Sequence, residues 1–160
     1  LAHIANPDSI FSPGKSGLLA ILQGPSSNPK GLTTKFGIYN INKDTEYTSE
    51  IRLNHPKASL FIIPSPKISK PISWSSSYDC QANNTESLDI FNFVEDTSPP
   101  ALSLLLNDTS DDNLDIQKNI LKFSSSCSKK VKSEDVFNAF SLQNTINKKN
   151  WPLTLDVQCY

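Results

Sequence analysis

Turn signals recur along this chain at intervals too short for long helices, and that spacing most limits what it can fold into. All five glycines, Gly14, Gly17, Gly24, Gly31 and Gly37, fall early in the chain. Beyond Gly37 the turns rest on Pro, Asn, Asp and Ser, as in Asn54-His55-Pro56, Pro64-Ser65-Pro66, Asn83-Asn84, Ser98-Pro99-Pro100 and Asp111-Asp112-Asn113. These residues make turns by fixing φ or by hydrogen-bonding their own backbone. The segments left between them have the length of strands.

Several of those segments also have strand patterning. Lys35 to Ile41 carries Phe36, Ile38, Tyr39 and Ile41, and Tyr47 to Leu53 sets Tyr47, Ser49, Ile51 and Leu53 on one face. Leu60 to Ile63 is a continuous apolar run, expected of a strand covered on both sides, and Ala101 to Leu106 is a second. Ile72, Trp74, Ser76, Tyr78 and Cys80 alternate with polar residues, and Leu88 to Val94 also alternates. At the end, Leu153, Leu155, Val157 and Cys159 share one face. One short helix is predicted over 134–147: Ser133 can cap it, Glu134 and Asp135 suit its first turn, Val136, Phe137 and Phe140 give an apolar face, and Lys148 and Lys149 suit its end. Asp115 to Phe123 fits a short helix or a strand equally.

Strands without long helices between them imply antiparallel pairing, and an antiparallel β-sandwich buries both inner faces. The expectation is therefore a mostly β chain folding as one sandwich domain over residues 1–160. The opening Ile4-Ala5-Asn6-Pro7-Asp8-Ser9-Ile10-Phe11-Ser12-Pro13-Gly14, followed by apolar Leu18 to Leu22, resembles the first strand pair of immunoglobulin-like domains of extracellular and cell-wall proteins. The resemblance implies a fold class and no functional residue. Trp74 matches the buried tryptophan of that fold, but no cysteine lies upstream of it, so the Cys-Trp-Cys spacing of true immunoglobulin domains is missing.

Most familiar chemistries find no support. With 15 basic and 16 acidic residues the net charge is -1, without the basic excess that phosphate neutralisation demands, so no nucleic-acid partner is expected. Arg52 is the only arginine, which leaves almost no bidentate guanidinium chemistry. A nucleophile elbow or phosphate loop needs glycines that are absent after Gly37, and Gly14-Lys15-Ser16 fails as a phosphate loop because Ser9 stands where the first glycine is required. His3, in a terminus expected to be loose, and His55, between Asn54 and Pro56, are the only imidazoles. Carboxylate pairs such as Asp44/Glu46, Glu86/Asp89 and Glu95/Asp96 are ordinary surface features, and Asp79, near Trp74 and Tyr78, is the best single acid for glycoside chemistry. The acid-rich run Asp108, Asp111, Asp112, Asp115 lacks the glycine and terminal acid of a helix-loop-helix calcium loop. No metal or other cofactor is expected.

Asn83-Asn84-Thr85 and Asn107-Asp108-Thr109 are acceptors for N-glycosylation, so Asn83 and Asn107 point to the extracellular space or the secretory lumen. The chain begins with Leu1 and contains no Met, as expected after removal of a signal peptide or trimming. No apolar run reaches the roughly 18 residues of a membrane span. Cys80, Cys127 and Cys159 are too widely spaced for a zinc site. An oxidising compartment predicts one disulfide, here Cys80 with Cys127, leaving Cys159 unpaired or bonded to another chain. Trp151, beside Pro152, either anchors an interface or plugs the core. Lys129, Lys130 and Lys132 suit an acidic partner, a processing site or simply a solvated turn. The resulting expectation is a secreted or surface glycoprotein domain that binds a protein or glycan, or another chain of a larger complex, without catalysis. The alternatives are a secreted carbohydrate-active enzyme using paired carboxylates, or an intracellular subunit whose acceptor asparagines are accidental.

Overall fold

The computed structural model describes residues 1–5, 10–25, 32–38, 46–78, 101–106 and 114–160. Asn83, Asn107, Cys80 and Asp79, and the predicted strand over Leu88 to Val94, lie outside the described residues.

The described chain is mostly β, with two five-stranded sheets and two helices. In chain order the strands are β1 (Ala2–Ile4), β2 (Ile10–Phe11), β3 (Leu18–Gln23), β4 (Leu32–Ile38), β5 (Glu46–Leu53), β6 (Ser59–Pro64), β7 (Ile72–Tyr78) and β8 (Ala101–Leu105). Helix α1 (Leu114–Ser124) follows, then β9 (Lys130–Lys132), α2 (Ser133–Ala139) and β10 (Thr154–Cys159). The first sheet runs β1-β3-β6-β10-β9 and the second β2-β8-β7-β4-β5.

The apolar runs fall where the covering is greatest. β3 and β6 sit inside the first sheet, and Leu19, Ala20, Ile21, Leu60, Phe61 and Ile63 are fully buried. Alternate side chains of these strands point to opposite faces. One set meets the second sheet, whose Phe11, Leu32, Phe36, Trp74 and Leu105 belong to the same core. α1 helps to cover the other face of β3. Its buried face is set by Gln117, Ile120 and Phe123, at successive intervals of three residues, which settles the ambiguous segment as a helix. Gln117 Nε2 donates to the Ser12 carbonyl at 3.0 Å and ties the helix to the chain after β2.

Three expectations need correction. Pairing is not purely antiparallel: β10 runs parallel to β6, and β2 parallel to β8. Parallel neighbours require a long connection between them, and both pairs join segments distant in the chain. The last helix is shorter than 134–147. It stops at Ala139, Ser141 adopts the left-handed region at φ 55°, and Lys148 to Asn150 form a separate 3-10 turn. The residues expected to extend its apolar face still pack: Phe140 lies 5.8 Å from Phe123, ring to ring.

The disulfide is Cys127–Cys159, not Cys80–Cys127. β9 and β10 pair antiparallel, and the turn leading into β9 is held to β10 by Ser128 N donating to Val157 O at 2.8 Å. That register brings the two cysteines to a Cα separation of 5.6 Å, within disulfide range. The bond closes α2 and the 3-10 turn into a loop with a sequence separation of 32 residues. Chain-entropy reasoning for a loop of this size gives about 4 kcal/mol. Reducing agent, or a Cys159→Ser change, is therefore expected to lower the urea midpoint by that equivalent. An unchanged midpoint would show that the bond constrains nothing.

Candidate functional site

The 3-10 turn Lys148–Asn150 is fixed at its start by Asn147, whose side-chain oxygen accepts from Lys149 N at 3.2 Å. Trp151 follows at once. Its indole meets the Phe137 ring nearly perpendicularly, centroids 5.1 Å apart, so α2 holds one side of it. On another side lies Gly24, where a Cβ atom would come 3.2 Å from Trp151 Cζ2; the absent side chain lets the ring approach the end of β3. Trp151 is thus half-buried, packed on the core, and also a wall of an open groove of about 570 Å³. Both sequence readings of this residue describe part of its position.

Three lysines converge on that groove from separate elements: Lys57 from the β5–β6 connection, Lys130 from β9 and Lys149 from the 3-10 turn. All three are exposed, and none has a carboxylate within ion-pair distance among the described residues. Like charges gathered on a concave surface raise the local concentration of anions. The Lys57 backbone is well anchored. Gln23 Nε2, buried in β3, donates to the carbonyls of both His55 and Lys57, at 2.9 and 2.7 Å. Lys130 belongs to the basic run singled out in the sequence, and Lys129 and Lys132 are exposed beside it without lining the groove. Lys57 and Lys149 carried no such signal, since only the fold gathers them.

Among the described residues, one acid shares the groove. Asp156 stands in β10 between Lys130 of β9 and Ser59 of β6, its partners in register. Its Oδ2 lies 3.7 Å from His55 Nε2, and His55 Nδ1 lies 2.7 Å from Ser59 Oγ. Ser, His and Asp in contact invite comparison with a nucleophilic triad, but the geometry fails. Ser59 is fully buried and its hydroxyl donates to the Lys57 carbonyl at 2.9 Å, so it can reach no substrate. The Asp–His separation also exceeds hydrogen-bond length. The trio positions the β5–β6 turn. Among the described residues, Asp156 is the only carboxylate lining the groove, so none of them pairs with it there as the second acid that glycoside hydrolysis uses.

The other imidazole is also held. His3 lies flat against Trp74, ring centroids 3.7 Å apart, and is not in a loose terminus. Its Nδ1 contacts Ser103 Oγ at 3.1 Å and its Nε2 contacts Ser76 Oγ at 2.8 Å. Burial pushes its pKa down to about 3, so it is neutral at ordinary pH. A smaller hollow of about 270 Å³ lies between Ser12, Gly14, Ser65 and Lys67. Among the described residues, no group of His, Cys, Asp and Glu side chains is arranged to hold a metal, and no helix is long and apolar enough to cross a membrane.

Comparison with protein-family models, with curated proteins and with solved structures gives no match.

Proposed function

We propose that this chain is a non-catalytic, N-glycosylated binding domain of the extracellular space or secretory lumen. It takes a protein or glycan partner in the groove beside Trp151. The observation that carries the reading is the convergence of three lysines, without an ion-pair partner among the described residues, on a groove walled by a packed indole. Binding centres favour rigid aromatic anchors flanked by polar groups. The Cys127–Cys159 bond supports an oxidising compartment, where such bonds persist, and agrees with acceptor signals at Asn83 and Asn107. We read the two-sheet core as an immunoglobulin-like sandwich, with Trp74 as its buried tryptophan.

The test displays the protein, made in a secretory host, against arrays of extracellular proteins and glycans. Wild type is compared with a variant carrying Lys57→Glu, Lys130→Glu and Lys149→Glu. Partners retained by wild type are expected to be lost by the variant, and peptides containing Asn83 and Asn107 are expected to carry glycosidase-removable mass. Binding indifferent to the three reversals would discard the groove, and bare asparagines with three free thiols would discard the compartment.

A further inference from the structure

We infer that the ligand of the Trp151 groove is an acidic glycan, with sulfate or carboxylate groups on its sugar rings. The inference rests on the binding-domain reading above and narrows it. Lys57, Lys130 and Lys149 reach the groove from three separate elements, and none has a carboxylate within ion-pair distance among the described residues. A ligand bearing several spaced anionic groups complements that arrangement, and charge-assisted hydrogen bonds are the stronger kind. The remaining lining separates glycans from acidic peptides. Asp156 presents a carboxylate within the same groove, with a side-chain exposure of 18%. Its charge opposes the anionic groups of either ligand, but it accepts hydrogen bonds from hydroxyls, which an Asp- or Glu-rich peptide lacks. The side chains of Asn150 and Thr154 also line the groove, and neither has a hydrogen-bond partner among the described residues. Both can donate to and accept from a polyhydroxylated ligand. The indole of Trp151 offers the apolar wall on which the C–H face of a pyranose packs, already held by Phe137. The groove volume, about 570 Å³, lies inside the range of roughly 300–1,000 Å³ usual for sites of small molecules, enough for a short oligosaccharide.

Calorimetric titration of the whole chain with a size-defined sulfated glucosamine–uronate hexasaccharide tests this. The controls are the desulfated hexasaccharide and a polyglutamate peptide of matched charge. Saturable binding of the sulfated sugar is expected, with polyglutamate at least about tenfold weaker, the equivalent of one charge-assisted contact. Lys57→Glu and Lys149→Glu, both at exposed positions, should each weaken the sugar about tenfold while leaving thermal unfolding unchanged. Trp151→Phe, which keeps a ring against Phe137, should weaken the sugar and leave polyglutamate unaffected. The inference is overturned if polyglutamate matches or exceeds the sulfated sugar, or if no sugar binds saturably. Where a protein partner then binds through the same lysines, the binding-domain reading stands without the glycan. Where reversal of the lysines alters no interaction at all, that reading falls too.

Discussion

Acidification from pH 6.5 towards 3 is expected to remove on the order of 4 kcal/mol of folding stability through one residue, His3. In the folded chain its pKa is pushed down to about 3 by burial, whereas a solvated histidine titrates near 6.5. Between those values the unfolded chain binds one more proton than the folded chain, so stability rises with pH across the window. The contribution is complete above about pH 6.5 and is lost progressively as pH falls to about 3. The hydrogen bonds explain why the neutral ring is preferred. Ser76 Oγ donates to Thr34 Oγ1 at 2.8 Å, so it accepts from His3 Nε2–H, and Nδ1 is left as the acceptor for the Ser103 hydroxyl. A second proton on the ring would oppose that donor and place a charge between the sheets. Urea unfolding of wild type and His3→Phe at pH 6.5 and 4.5 checks this. Wild type should lose roughly 2–3 kcal/mol over that interval, and His3→Phe, though weaker overall, should lose much less. Parallel slopes for the two proteins would exclude His3 as the source.

Much of the two-sheet frame was legible in the sequence, for reasons visible in particular strands. Leu60 to Ile63 reads as covered on both sides, and β6 is, because β3 and β10 flank it and both sheet faces are packed. β10 alternates as expected in its middle, with Leu155 and Val157 buried, while Leu153 just before it and Cys159 at its end emerge to solvent. Parallel pairing was not legible, since it depends on which distant segments return to lie side by side. The same limit hid the disulfide partner: Cys159 meets Cys127 through the β9–β10 register, which no local pattern encodes. Helix length was overestimated because Phe140 contributes to the core from a turn as well as it would from a helix. The groove was legible only in fragments. Trp151 and Lys130 carried local signals, whereas Lys57, Asp156 and Gly24 join them only once four separate segments converge. His3 was misjudged because nearness to a chain end predicts mobility unless a strand ties it down. Here β1 pairs with β3 and carries His3 onto Trp74.

Replacing Trp74 with alanine should cost about 4–5 kcal/mol, much of the stability a chain of this size possesses. Trp74 heads the largest fully buried side chains, and three independent losses coincide there. Its removal opens a cavity between the sheets that Phe36, with its ring centroid 6.3 Å away, fills only in part. Thr34 Oγ1 loses the indole N–H that donates to it at 2.7 Å, within a network where Thr34 also accepts from Ser76. His3 loses the surface on which it stacks, and with it much of the burial that keeps the ring neutral. Trp74→Phe separates these terms, because it retains most of the ring volume while deleting the donor. Its cost should be about half as large. In urea both variants should lower the midpoint without altering the slope. The two substitutions should also differ in acid response. With Trp74→Ala, the pH-dependent loss between 6.5 and 4.5 should shrink, because a partly hydrated His3 titrates closer to its ordinary value. With Trp74→Phe, where an aromatic face still covers the imidazole, most of that loss should remain. A Trp74→Ala protein that unfolds within 1 kcal/mol of wild type, an allowance below the usual aromatic truncation cost of roughly 3–5 kcal/mol, would mean that this ring does not join the two sheets.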